Sequence, residues 1–119
     1  MTTENPTPKG PPLSKVRRAG NLLFVSGQLP RGQDGAIVHG DIVVQTRQSI
    51  ANLQAALATA GATLEHVVKV TAWLTDVSYM DGFNQVYREA FVEPYPTRST
   101  VISGLAAGDV EIEAVAWLP

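Results

Sequence analysis

Two stretches decide the fold of this chain: PTRSTV at residues 96–101 and, after a short linker, DVEIEAV at residues 109–115. Both alternate polar residues with apolar or small ones, which is the two-residue period of a half-buried β-strand. The linker at 103–108 is rich in Gly and Ala, so the chain can turn there. We therefore predict two C-terminal strands, at about 97–103 and 109–117.

Arg98 and Glu111 stand near the beginnings of these two strands. An arginine guanidinium can grip a carboxylate through two parallel hydrogen bonds, and a glutamate can transfer a proton or hold a water molecule. Near neighbouring strand ends, the two side chains can build a small polar site. The alternative is a salt bridge at the rim, which contributes about 0–1 kcal/mol. Taken alone, the pair favours the salt bridge.

The composition excludes several classes of function. The chain has 119 residues, a formal net charge of −2 and no cysteine. The missing cysteines exclude disulfides, thiolate nucleophiles and Cys-type zinc sites, and His39 and His66 have no metal-ligand spacing, so we expect no metal. The charge and the lack of interleaved basic and aromatic residues argue against nucleic acid. No apolar run approaches the roughly 18–20 residues of a membrane span, and we expect a cytoplasmic protein.

The chain begins with a proline-rich segment and continues into a hairpin. Four prolines lie in residues 1–13, and because proline fixes φ and removes a backbone donor, we predict a flexible arm there. A single domain should follow at 14–119. Within it, a Gly-Asn turn joins predicted strands at 14–19 and 22–27.

Helical and strand patterns then alternate. Asp41 is a predicted N-cap for a helix over 42–60, where apolar residues recur on one helical face. Residues 67–74 are rich in β-branched and aromatic residues and predict a strand. Ser78 and Asp81 resemble a capping box that opens a second helix.

This order of elements predicts an α+β fold: one β-sheet with two helices on one face. The other face of the sheet then stays uncovered. Val25, Trp73, Val101 and Val115 are apolar enough that some of them must lie on it. Since a monomer rarely exposes that much apolar surface, we expect an oligomer that buries the uncovered face.

Six groups of residues, in a fixed order along the chain, resemble one protein family. They are GNLLFVSGQLP (20–30), QTRQ (45–48) with Asn52-Leu53, VKVT (68–71) with LTD (74–76), FNxxY (83–87), PxRS (96–99) and EIEA (111–114). Together they cover nearly all of residues 15–117. On these motifs the chain resembles the Rid family, the reactive intermediate deaminases or YjgF-like proteins, earlier described as L-PSP endoribonucleases.

The resemblance implies a fold similar to chorismate mutase and a homotrimer whose sheets face a central barrel. It implies active sites in the clefts between subunits. It also implies hydrolysis of short-lived enamines and imines, such as 2-aminoacrylate, to 2-oxo acids and ammonia. That reaction needs neither a metal nor an organic cofactor, because positioning supplies most of what it requires.

The resemblance also implies roles for individual residues. Arg98 matches the arginine that clamps the substrate carboxylate, and Glu111 matches the acidic residue that positions the attacking water. Asn84 matches a helix-borne asparagine near the site, with capping or bridging of backbone as its alternative role. Ser26 matches a pocket-lining serine, with close packing beside Gly27 as the alternative.

Two positions depart from the family pattern. Leu13 stands where many members have a tyrosine, and Thr100 stands where they often have a cysteine. The site therefore lacks a phenol donor and a soft thiol contact, which bears on the substrate more than on the reaction class. A different class of function stays open: a trimer that binds a small carboxylate or a partner without turnover, with an endoribonuclease as a more distant alternative.

Overall fold

The computed structural model describes residues 10–119, so the predicted arm at residues 1–13 lies mostly outside the described residues. The strands are β1 (Val16–Ala19), β2 (Leu22–Gln28), β3 (Val67–Leu74), β4 (Thr97–Ile102) and β5 (Val110–Trp117), and the α-helices are α1 (Ile42–Ala58) and α2 (Met80–Ala90). Both predicted helices and every predicted strand of the hairpin, the centre and the C-terminus are confirmed. Across residues 10–119, no helix is long and apolar enough to cross a membrane.

The five strands form one mixed sheet in the order β1-β2-β5-β3-β4. β3 and β4 are parallel, because α2 carries the chain back between them, and all other neighbours are antiparallel. β3 therefore separates β4 from β5. The expectation that Arg98 and Glu111 lie at neighbouring strand ends is wrong, since the linker after β4 crosses the end of β3 before β5 begins.

One face of the sheet carries the hydrophobic core. In β3, Val70, Ala72 and Leu74 are buried, whereas the residues between them are partly exposed. β5 shows the same alternation and pairs with β3 in register. These side chains form one cluster with residues of both helices, such as Leu53 of α1 and Phe83 of α2. Both helices therefore cover the same face, which confirms the predicted α+β architecture.

The opposite face of the sheet, called the open face below, is not covered by any element in residues 10–119. Its apolar side chains are Leu22, Phe24, Trp73, Val101, Val115 and Trp117. Phe24 is 44% exposed and Trp117 is 48% exposed. Val25, also a candidate for this face, is instead buried beneath the helices. The prediction of an uncovered apolar face is confirmed.

Capping explains where the helices begin. The Asp41 carboxylate accepts a hydrogen bond from the Val44 amide at 3.0 Å, so the predicted N-cap of α1 is confirmed. The capping box at Ser78 is wrong. Asp76 accepts a bond from the Ser78 amide at 2.8 Å and caps a short 3₁₀ turn, after which α2 begins at Met80.

Candidate active site

Arg98 lies on the helix-covered side of the sheet. It is the second residue of β4 and pairs with the buried Val70 of β3, so its side chain points toward α2. Its guanidinium carbon lies 4.7 Å from the centre of the Tyr87 ring and 5.2 Å from the centre of the Phe83 ring. A guanidinium over an aromatic face is attracted by the ring quadrupole. The two rings therefore hold the Arg98 head at a defined place.

A cavity of about 280 Å³ opens beside this guanidinium. Its lining residues are Asn84, Tyr87, Arg88, Tyr95, Pro96 and Arg98. Within residues 10–119, Arg98 makes no ion pair, and its side chain has no hydrogen-bond acceptor. Its N–H groups are therefore available to an anion in this cavity, which we call the Arg98 cavity.

Asn84 and Thr100 lie on the same side of the molecule as Arg98. Asn84, on α2, is half-buried and lines the Arg98 cavity. Thr100 is two residues beyond Arg98 in β4 and pairs with buried Ala72, so it shares the strand face of Arg98. The structure thus brings together three of the residues that the sequence analysis singled out.

The Tyr87 hydroxyl is buried beside the Arg98 cavity and has no hydrogen-bond partner among the described residues. Burial raises the pKa of Tyr87 to about 12, against an opposing effect of the positive charge on Arg98. The phenol therefore stays protonated at neutral pH. Tyr87 belongs to the hydrophobic core, and its ring also supports Arg98, a contact that helical periodicity does not reveal.

Glu111 lies on the open face. Glu111 pairs with Trp73 of β3, whereas Arg98 pairs with Val70 of the same strand. Because successive side chains of a strand point to opposite faces, residues three positions apart lie on opposite faces of the sheet. The Glu111 carboxylate rests against Gly27 of β2, where the pairing of β2 with β5 is irregular. A Cβ atom on Gly27 would lie only 2.5 Å from Glu111 Oε2. Gly27 is therefore the residue that leaves room for the carboxylate.

The environment of Glu111 disfavours its ionised form. Partial burial raises the pKa of the Glu111 carboxyl, and the nearby negative charge of Glu113 raises it further. Both residues are on the open face, because they are two positions apart in β5. A carboxyl with a raised pKa is better suited to accept and return a proton near neutral pH than an ordinary surface glutamate.

Ser26 and Leu13 lie on the side of Glu111. The Ser26 hydroxyl donates a hydrogen bond to the Ser14 carbonyl at 2.6 Å and so ties the preceding segment to β2. Ser26 also lines a cavity of about 220 Å³ on the open face, together with Lys69 and Glu113. Leu13 is exposed and directly precedes Ser14.

A buried polar network fixes the start of β5, just before Glu111. The Gln45 amide group donates to the Asp109 carboxylate at 3.0 Å, and the Asp109 backbone N–H donates to Gln45 Oε1 at 2.8 Å. The Thr75 hydroxyl donates to the same carboxylate at 2.7 Å. Asp109 is thus held from α1 and from the end of β3. The sequence analysis missed this network, although Gln45, Thr75 and Asp109 all fall in its quoted stretches.

The candidate residues fall into two groups on opposite faces of the sheet. Arg98 and Glu111 are two strands apart and offset by three residues along β3. With about 4.8 Å between strands and about 3.3 Å per residue, their Cα atoms are roughly 14 Å apart. One small molecule cannot touch both side chains of the same chain.

The α+β fold thus places an arginine without a partner in residues 10–119 on one side of the sheet and a glutamate on the other. The chain belongs to the family described as Endoribonuclease L-PSP, whose model matches residues 2–118. This finding confirms the resemblance to the Rid and YjgF-like proteins.

Individual relatives resemble the chain over nearly its full length. It is 45% identical over 119 residues to a RutC family protein of Pyrococcus horikoshii, covering 97% of this chain and 94% of that protein. It is 40% identical over 112 residues to the mitochondrial protein mmf2 of Schizosaccharomyces pombe, covering 90% and 88%. The crystal structure of RidA from an Antarctic Psychrobacter species gives a TM-score of 0.86 at 32% identity, covering 99% of this chain and 97% of that one.

Proposed function

We propose that this protein is a deaminase that hydrolyses small, reactive 2-imino and enamino acids, such as 2-aminoacrylate, to 2-oxo acids and ammonia. We propose further that it works as a homotrimer whose sites form between subunits. The observation that carries the proposal is the Arg98 guanidinium, which has no partner in residues 10–119 and lines a cavity of substrate size. A carboxylate is the anion that a guanidinium fork binds best.

The proposed chemistry divides between the two groups of residues. Arg98 holds the substrate carboxylate, and the rings of Phe83 and Tyr87 keep the guanidinium in place. Glu111 accepts a proton from water while the water oxygen adds to the imine carbon, and it returns this proton to the nitrogen. It then transfers the proton of the new hydroxyl group to the nitrogen in the same way, so that the carbon–nitrogen bond breaks and ammonia leaves. The raised pKa of Glu111 favours this exchange of protons near neutral pH. Positioning is the main contribution, so the proposal includes no cofactor.

The positions of Arg98 and Glu111 support a site made by two copies of the chain. Because they face opposite sides of the sheet, a substrate held by Arg98 can meet only the Glu111 of a neighbouring copy. The apolar open face supplies a surface that such a neighbour can cover. If the Arg98 side of each copy contacts the Glu111 side of the next, the copies form a closed ring with cyclic symmetry.

Two alternatives are separated from this proposal by experiment. A non-catalytic trimer would bind small carboxylates through Arg98 but would not accelerate hydrolysis. An endoribonuclease, the activity in the family description, would have to bind phosphates with a chain whose net charge is −2. The cytoplasmic location stays a prediction, since a similar protein is designated mitochondrial.

Mixing two inactive variants tests whether each site is formed by two copies of the chain. Arg98→Ala and Glu111→Gln should each fail to accelerate pyruvate release from 2-aminoacrylate, generated in place by a serine dehydratase. When the two are unfolded and refolded together, random assembly places an intact arginine and an intact glutamate at about one site in four. The mixture should therefore regain about a quarter of the wild-type activity.

The controls for mixing are each variant refolded alone and the Arg98→Ala/Glu111→Gln double variant, none of which should regain activity. Wild-type protein that does not accelerate pyruvate release would exclude the deaminase. Hybrid oligomers that form but stay inactive would exclude a site shared between subunits. Cleavage of RNA by the wild type, lost in Arg98→Ala, would favour the endoribonuclease.

A further inference from the structure

A second arginine, which is exposed, lines the Arg98 cavity. Arg88, in the last turn of α2, lines it together with Arg98, and no acidic side chain is among its lining residues. Arg88 stands one helical turn beyond Asn84, so both project from the same face of α2. Two arginines of the same copy therefore line this cavity, and a substrate with a single carboxylate can pair with only one of them.

Neither guanidinium is neutralised by the described part of the chain. Three other arginines have partners: Arg47 pairs with a glutamate of α2 at 2.9 Å, and Arg18 and Arg31 donate to backbone carbonyls. In residues 10–119, Arg88 and Arg98 have no such acceptor. Two like charges at one cavity repel each other, and an anion with two carboxylates relieves that repulsion.

We propose that this site takes dicarboxylic 2-imino acids, with the α-carboxylate on Arg98 and the side-chain carboxylate on Arg88. The inference rests on the proposed deaminase function and names its substrate class. The reaction is unchanged: water adds its oxygen to the imine carbon, both water protons end on nitrogen, and the carbon–nitrogen bond breaks. The products are ammonia and a 2-oxo dicarboxylate.

Leu13 points to a different preference, since loss of a phenol donor favours apolar side chains. Within one copy, Leu13 does not line the Arg98 cavity, and the neighbouring Ser14 lines the cavity on the open face. In the proposed trimer Leu13 would approach the substrate from the neighbouring copy, whereas Arg88 lines the cavity from the same copy as Arg98. A pair of ligands that differ only in a terminal carboxylate decides between the two preferences.

Calorimetry with the stable products 2-oxoglutarate and 2-oxopentanoate, which have the same chain length, tests the binding. The full-length wild type should bind 2-oxoglutarate about tenfold more tightly. Arg88→Gln should remove this preference, because 2-oxoglutarate loses much more affinity than 2-oxopentanoate does. Arg47→Gln, which removes the same charge from α1, should keep the preference. Equal affinities in the wild type, or a preference that persists in Arg88→Gln, would overturn the inference.

Turnover separates this inference from the proposed function. An amino acid oxidase can generate the matched imines of glutamate and 2-aminopentanoate, and release of each 2-oxo acid is followed with and without the protein. Faster hydrolysis of the glutamate imine, lost in Arg88→Gln, supports both proposals. If the 2-aminopentanoate imine is hydrolysed equally fast, the dicarboxylate inference fails and the deaminase stands. If neither imine responds but the binding preference persists, the deaminase fails and the dicarboxylate site stands.

Discussion

The Arg98 cavity and the surroundings of Glu111 are built in opposite ways. Arg98 is held by aromatic rings and has no polar partner in the described residues, so its hydrogen-bonding capacity is kept for a ligand. Glu111 is pressed against the backbone at Gly27 and lies near another carboxylate, so its ionised form is disfavoured. One region is prepared to bind an anion and the other to exchange a proton. The proposed deaminase needs both regions, so the Arg98 cavity of one copy would meet the Glu111 of another.

Replacing Arg98 should have the largest effect on deaminase activity and so tests the role of the Arg98 cavity. Arg98→Ala should abolish deaminase activity, because it removes a charge-assisted carboxylate contact of about 1.5–3 kcal/mol and also the orientation of the substrate on which the reaction depends. Arg98→Lys should rescue poorly, since an ammonium cannot reproduce the fork. Oxo-acid release and a melting curve for each variant provide the measurement. Retention of more than about a tenth of the activity in Arg98→Ala would falsify its catalytic assignment.

Filling the space at Gly27 should have the next largest effect. In Gly27→Ala the new Cβ would meet the Glu111 carboxylate, and the side chain must move away. We expect kcat to fall about ten- to a hundredfold, because small displacements of a catalytic group are costly. The melting temperature should change little, since a flexible side chain moves rather than the backbone.

Gly104→Ala is the matched control for this substitution. A Cβ at Gly104 has no atom within 4 Å, so neither activity nor stability should change. Equal kcat values for Gly27→Ala and the wild type would show that the position of the Glu111 carboxylate does not matter for turnover.

Removing the charge of Glu113 should shift the pH dependence of kcat/KM without abolishing the activity. The Glu113 carboxylate raises the pKa of Glu111, so Glu113→Gln should lower that pKa. If Glu111 acts as a carboxylate, activity is lost as the pH falls through its pKa, and the acid limb of kcat/KM should move to lower pH. Glu65→Gln, on the 3₁₀ turn before β3, is the control. An acid limb that stays in place or moves upward contradicts the arrangement.

The smallest effect is expected at Tyr87. Tyr87→Phe keeps the ring beneath Arg98 and removes a buried hydroxyl that has no partner in the described residues. Activity should stay within about twofold, and the melting temperature should stay the same or rise, because an unsatisfied buried hydroxyl costs about 1–3 kcal/mol. A large loss of kcat with unchanged stability would show instead that the phenol contacts the substrate.

Local patterns in the sequence were sufficient for the elements but not for their arrangement. The turn between β1 and β2, the cap at Asp41 and the periods of β3 and β5 are all encoded by neighbouring residues. The order of the strands is not, because the insertion of β5 between β2 and β3 depends on pairings between residues far apart in the chain. For the same reason, the sequence alone led to the incorrect prediction that Arg98 and Glu111 lie at the ends of neighbouring strands.

The candidate site shows the same limit. The resemblance to a family supplied the identities of Arg98, Glu111, Asn84 and Ser26, and the structure assigns each of them to a face. The sequence could not reveal that Phe83 and Tyr87 support Arg98. The apolar residues of a helix have the same spacing whether they pack on a leucine or on a guanidinium. Such contacts become visible only when the register between β3 and β4 is known.

The close approach of Gly27 to Glu111 has a consequence for the divergence of related chains. Because a side chain at position 27 and a glutamate at position 111 compete for one volume, the two positions are not free to drift independently. A lineage that acquires alanine or serine in place of the glycine has room there only for a shorter acid, such as aspartate, or for an acid in another rotamer. Substitutions at these two sites, 84 residues apart in the chain, should therefore be correlated across descendants of a common ancestor.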